Sequence, residues 1–214
     1  MRLILLTALL LGFGLAQRII PTQPYNPGPD CRPAPAPRTL AQQSVWEEWP
    51  GYREKLEEYQ AYLPLEPDRT LLMPVRGIQL WQVADTFGAQ RTNRRLHEGQ
   101  DIFARVGTPV YSATSGFVLR MANGRLGGLQ IFVAGAGGRR YYYAHFSRFA
   151  SGLKEGDFVT PETLLGYVGN TGLARTTPAH LHFGIYLGGR LSCDYRALDP
   201  LPLLRNRDWR MLGP

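Results

Sequence analysis

The four histidines of the chain stand at His97, His145, His180 and His182, and Asp101 follows the first of them by four residues. Neutral imidazole and carboxylate are the standard nitrogen and oxygen ligands of zinc, and a catalytic zinc keeps three protein ligands with the remaining position left to water. These five groups therefore suffice for three ligands and two partners that handle protons. A single histidine is as ordinary in a core or on a surface as on a metal, and a short His-x-His pair is weak by itself. The combination points to hydrolytic chemistry.

These residues need elements that aim them at one point. His180 and His182 sit two apart in the apolar run His180–Leu187, and residues i and i+2 of a strand share a face, so both rings can enter one groove. The same period in Tyr141-Tyr142-Tyr143-Ala144-His145 predicts one face for Tyr141, Tyr143 and His145, with Tyr143 as packing or groove wall. The spacing of His97 and Asp101 would suit a helix, yet Gly99 and the following Ile102-Phe103 favour a loop entering a strand, which leaves Glu98 without a role. From about Leu72 the chain alternates short apolar segments with glycine pairs such as Gly127-Gly128 and Gly137-Gly138, the pattern of antiparallel strands and hairpins. The fold expected is mainly β, a compact antiparallel sheet with a groove over residues 72–204.

The segments before and after that domain differ in kind. Met1-Arg2, the apolar run through Leu15 and the small residues around Ala16 read as a secretory leader over residues 1–16, shorter than the roughly 20 apolar residues of a membrane span. Residues 17–38 hold Pro21, Pro24, Pro27, Pro29, Pro33, Pro35 and Pro37, which favours an extended arm. Within 39–71, Trp46, Trp49, Tyr52, Leu56, Tyr59 and Leu63 recur at three-to-four spacing and predict a helix over 39–66 that packs on the main domain. The tail 205–214 is basic and expected on the surface.

Cys31 and Cys193 form an even count in an export context, which predicts a disulfide, with two free buried thiols as the alternative. The net charge of +7 suits either anionic envelope polymers or plain solubility. No basic stretch interleaved with aromatics marks a nucleic-acid surface. The expected protein is an exported monomer, in the periplasm, envelope or extracellular space, with no stable transmembrane anchor.

Several motifs agree in order and spacing with one family. They are His97-Glu-Gly-Gln-Asp101-Ile-Phe-Ala, Gly107-Thr-Pro-Val110, Ala113-Thr-Ser-Gly116, Tyr143-Ala-His145-Phe, Gly156-Asp-Phe-Val, Gly166-Tyr-Val-Gly-Asn-Thr-Gly172, His180-Leu-His-Phe183 and Asp199-Pro-Leu. Over about Pro74 to Leu204 the chain resembles the M23 family of LytM or lysostaphin-type zinc metallopeptidases. That resemblance implies one zinc per chain held by His97, Asp101 and His182, a catalytic pair His145 and His180, and hydrolysis of peptide bonds in peptidoglycan cross-links or bridges. It also implies a compact β-sheet fold with a narrow groove. The stretch Leu173–Ala179 departs from the family pattern, with Pro178-Ala179 before His180 in place of a glycine-proline step, so groove shape and substrate choice would differ there.

In such a site zinc would lower the pKa of a water from about 15.7 toward 7. An imidazole, with its ordinary pKa of about 6.5, can take that proton and return it to a leaving amine. His145 is the expected base and His180 the expected oxyanion partner, although the two roles can be exchanged. A different class of function is a non-catalytic envelope module that binds peptidoglycan or activates another hydrolase. A third is a peptidase held latent by its proline-rich arm. Retention of all five positions favours the active enzyme.

Overall fold

Alternation of large apolar with small or polar residues drives the second half of the chain into strands whose two faces bury different partners. The structure is a computed structural model, and it describes residues 19–21, 51–91, 95–188 and 195–212. The leader, most of the proline-rich arm, Trp46, Trp49, Cys31 and Cys193 lie outside the described residues, and with them the expected disulfide.

In chain order the elements are β1 (Ile19–Pro21), α1 (Tyr52–Gln60), β2 (Leu71–Leu72), β3 (Gln100–Phe103), β4 (Pro109–Tyr111), β5 (Gly116–Gly124) and β6 (Gly128–Gly135). They continue with β7 (Arg140–Phe149), β8 (Phe158–Val159), β9 (Leu164–Val168), β10 (His180–Leu187), β11 (Arg196–Leu198) and β12 (Leu204–Arg205). Ten of these strands form one antiparallel sheet in the order β1-β11-β10-β7-β6-β5-β8, with β3 beside β10, β9 beside β7 and β4 beside β9. The first half of β7 pairs with β10 and its last residues pair with β9, so β7 is the central beam of the fold.

One face of the sheet buries Ile131, Val133, Tyr141, Tyr143, Leu181, Phe183 and Ile185. The opposite face buries Phe132, Ala134, Tyr142, Ala144 and Tyr186 against Leu56 and Tyr59 of α1. Each large side chain removed from water contributes about 1.5–3 kcal/mol, so the two cores are a main source of the sheet's stability. Tyr59 stacks on Phe117 with ring centroids 4.9 Å apart, which docks α1 on the sheet as the spacing of its apolar residues predicts.

Two expectations need correction. Helix does not persist to residue 66: α1 closes at Gln60, and the following chain, with Pro64 and Pro67 unable to donate backbone hydrogen bonds, runs as turns. Nor is the tail merely superficial. β12 pairs with β2 in parallel, and Arg207 is buried because its guanidinium donates to the carbonyls of Met73, Pro161 and Ser112 at 3.0, 2.6 and 2.7 Å. Three loop carbonyls distant in sequence are satisfied by one side chain.

Candidate active site

β3 and β10 pair with His182 directly opposite Asp101 and His180 opposite Phe103, so register alone brings an imidazole onto a carboxylate. His97 enters from the loop before β3. Its Nε2 lies 2.8 Å from Nδ1 of His182 and 3.0 Å from Oδ1 of Asp101, and His182 Nδ1 is 3.1 Å from the same oxygen. Two ring nitrogens and one carboxylate oxygen thus converge, which is donor chemistry suited to zinc. His97, Asp101 and His180 are buried and His182 is nearly so.

The neighbours orient each ring. A carbonyl only accepts, so Nδ1 of His97 must donate to the Thr86 carbonyl at 2.8 Å, which turns the lone pair of Nε2 toward Asp101 and His182. The same logic holds for His145, whose Nδ1 donates to the Thr171 carbonyl at 2.8 Å, and for His180, whose Nδ1 donates to Pro178 at 2.8 Å. His182 is the exception and offers Nδ1. Gly99 makes that possible, since a Cβ on it would come within 2.8 Å of the His182 ring and 2.6 Å of the Phe183 carbonyl.

His145 does not lie on the face of Tyr141 and Tyr143, as strict alternation predicts. β6 and β7 shift register here, with Gln130 opposite Ala144 but Leu129 opposite Phe146, and the extra residue is His145. Its φ of 69° makes it the single non-glycine residue with positive φ among the described residues. A bulge of this kind re-aims a side chain, and a left-handed backbone on a non-glycine residue costs free energy that the surrounding fold must offset. The ring is carried to the side of Tyr142 and His182, where it stands 4.9 Å from the His180 ring centroid and 6.1 Å from that of His182. Tyr143 stays in the core, with its hydroxyl accepting from the Ala113 N–H at 2.9 Å.

Burial shifts the charges of the cluster. It pushes the His145 imidazole down to about 3, aided by the neighbouring His182 and His180, and the His182 imidazole down to about 4. Burial alone would raise Asp101, but its close contacts with His182 and His97 hold its carboxyl far below the usual carboxylate range. In the metal-free fold His182 is therefore neutral and Asp101 an anion at neutral pH.

Four contributors escape sequence reasoning. Arg91 pairs closely with the second oxygen of Asp101. Thr86 holds His97 through its carbonyl and accepts the Asp101 N–H on its hydroxyl at 3.0 Å. Buried Gln100 accepts from the Thr86 N–H at 2.8 Å and donates to Asp199 at 2.9 Å, which anchors the Thr86 loop. Thr171 serves His145 as Thr86 serves His97. Gln100 opens β3 and the other three stand in loops, where no periodic pattern marks them.

Known proteins share this arrangement of sequence and fold. Residues 95–194 match the family model described as Peptidase family M23. The chain is 39% identical over 131 residues to the L-Ala–D-Glu endopeptidase of Bacillus subtilis, covering 58% of this chain and 38% of that protein. It is 32% identical over 123 residues to lysostaphin of Staphylococcus simulans, covering 56% of this chain and 24% of that protein. Among solved structures it resembles Helicobacter pylori Csd3, with TM-score 0.51, 32% identity, and coverage of 65% of this chain and 36% of that one. The chain thus spans well under half the length of these relatives.

Proposed function

Because this chain belongs to peptidase family M23, we propose that it is a zinc-dependent endopeptidase that hydrolyses peptide bonds in peptidoglycan cross-links or bridges. The observation that carries the reading is the convergence of His97 Nε2, Asp101 Oδ1 and His182 Nδ1 between two further histidines whose Nδ1 atoms are already engaged. The names of relatives support the substrate class: one is an L-Ala–D-Glu endopeptidase and another a peptidoglycan DD-endopeptidase of Vibrio cholerae.

His97, Asp101 and His182 would hold the zinc. Bound there, the metal supplies Lewis acidity that brings the pKa of a water toward about 7 and polarises the scissile carbonyl. His145 then takes the proton of the attacking water on Nε2, the atom left free by its bond to Thr171, and delivers it to the leaving amine. His180 acts on the opposite partner. Its Nε2, 3.6 Å from Asp101 Oδ1 and not engaged by Pro178, would donate to the oxygen on which charge develops. The strained backbone of His145 sets its ring before substrate arrives, so little reorganisation remains for the reaction itself. Such a substrate lies outside the cytoplasm, which agrees with the leader-like first residues.

Incubating the full chain with purified peptidoglycan, with and without added zinc after chelation, and identifying released ends by mass spectrometry tests the proposal. New amino and carboxyl ends should appear only with metal. Intact peptides in the presence of bound zinc would overturn it.

A further inference from the structure

We infer that the depression beside His145 is a subsite for a free carboxylate of the substrate peptide, read by Arg125 and Arg175. The inference rests on the peptidase reading and adds a chemical selectivity to it. The depression measures about 390 Å³ and is lined by Asn123, Gly124, Arg125, Gly172, Leu173 and Arg175. Its two walls are the tip of the β5–β6 hairpin and the 3₁₀ turn Gly172–Thr176.

Both walls are built onto His145. The hairpin tip accepts the His145 backbone N–H at Gly127, at 2.8 Å, and the residue before the 3₁₀ turn, Thr171, accepts its ring Nδ1–H at 2.8 Å. The walls also lock to each other. Leu173 donates to the Leu126 carbonyl at 2.9 Å, and Gly128 and Gly172 pack backbone to backbone so closely that a Cβ on either would lie within 2.5 Å of the other wall. The depression is therefore fixed relative to the catalytic histidine.

Its charge is positive and uncompensated. Arg125 and Arg175 are both exposed, no acidic residue lines the depression, and no ion pair engages either guanidinium among the described residues. Two planar cations in a concave site whose walls hydrogen-bond to His145 suit a carboxylate, which guanidinium binds through paired N–H donors. Leu173, 49% exposed, offers an apolar wall for the methylene groups that would carry such a carboxylate.

The test compares the zinc-loaded full chain with Arg125→Gln, Arg175→Gln and the double variant, on native peptidoglycan and on peptidoglycan whose free peptide carboxylates have been converted to amides. Wild type should have a kcat/KM about tenfold higher on the native form, the ratio carried by one hydrogen bond to a charged group. The double variant should fall to the amidated rate on native substrate and stay within about twofold of wild type on amidated substrate. Replacing both arginines by lysine should restore part of the preference, and salt should weaken it. Equal wild-type rates on the two forms, an unchanged preference in the double variant, or a parallel loss on both forms would overturn the subsite while leaving the peptidase standing. A wild type that cleaves neither form removes the peptidase reading, and the subsite with it.

Discussion

Thr171 holds His145 from two sides of one residue. Its carbonyl accepts the ring Nδ1–H at 2.8 Å, and its hydroxyl donates to the Phe146 carbonyl at 2.8 Å while accepting the Leu129 N–H at 3.0 Å, so the bulge and the ring it aims are fixed together. Thr171→Val keeps the carbonyl and removes both hydroxyl bonds. We expect a stability loss of about 1–2 kcal/mol, a larger proportional fall in kcat than in zinc content, and no change in KM beyond about twofold. Denaturant titration and steady-state kinetics on the same preparation check this.

Gly99 is required by contact and not by backbone conformation. In Gly99→Ala the new methyl would meet the His182 ring at 2.8 Å and the Phe183 carbonyl at 2.6 Å, both nearer than any ordinary Cβ contact. The His182 ring or the strand that carries it must shift. Zinc affinity measured by chelator competition should fall by at least about tenfold while circular dichroism still reports the β fold; unchanged affinity would show that the glycine is incidental.

Arg91 occupies the second oxygen of Asp101 and leaves Oδ1 facing His97 and His182. Arg91→Ala should weaken zinc binding by roughly 10- to 100-fold, as losses of such outer partners do, and Arg91→Lys should recover part of it. The readout is again metal affinity, so a defect confined to peptide binding would appear as a raised KM with normal zinc retention.

Much of this site is legible in the order and spacing of its residues, and the exceptions have physical causes. His180 and His182 share a face because strand alternation holds through β10, and His97 and Asp101 reach it because β3 pairs there. Alternation fails at His145, where one inserted residue reverses the face, and bulges leave no periodic signal in a segment of consecutive large residues. Arg91 and Thr86 come from an irregular loop at ten and fifteen residues before Asp101, where no spacing rule applies. Arg207 misleads for a different reason: arginine is ordinarily exposed, and only loop carbonyls distant in sequence explain its burial.

Acid should destabilise the metal-free protein well above the carboxylate range. The folded imidazoles of His145 and His182 are held down to about 3 and about 4, whereas the unfolded chain protonates them near their ordinary 6.5. Between those limits the unfolded state binds more protons, so the stability they contribute is complete above about pH 6.5 and is lost as pH falls toward 4 and 3. Asp101, held below its ordinary 3.8, adds a further loss at the acid end. Thermal midpoints of chelated protein should drop steadily from pH 7 to pH 4.5, and zinc should be released over the same range because protons compete for its ligands. A flat profile between pH 7 and 5 would contradict the buried, neutral imidazoles.

The most direct test of the account measures zinc content and peptidoglycan turnover on the same samples of six proteins: wild type, His97→Ala, Asp101→Ala, His182→Ala, His145→Ala and His180→Ala. The first three variants should stay folded and lose both metal and activity. The last two should retain one zinc per chain and lose turnover, by about 10²–10⁴-fold for His145→Ala and about 10²–10³-fold for His180→Ala. Full zinc occupancy in His182→Ala and Asp101→Ala, or parental turnover in His145→Ala and His180→Ala, would contradict the division of the cluster into three ligands and two proton carriers.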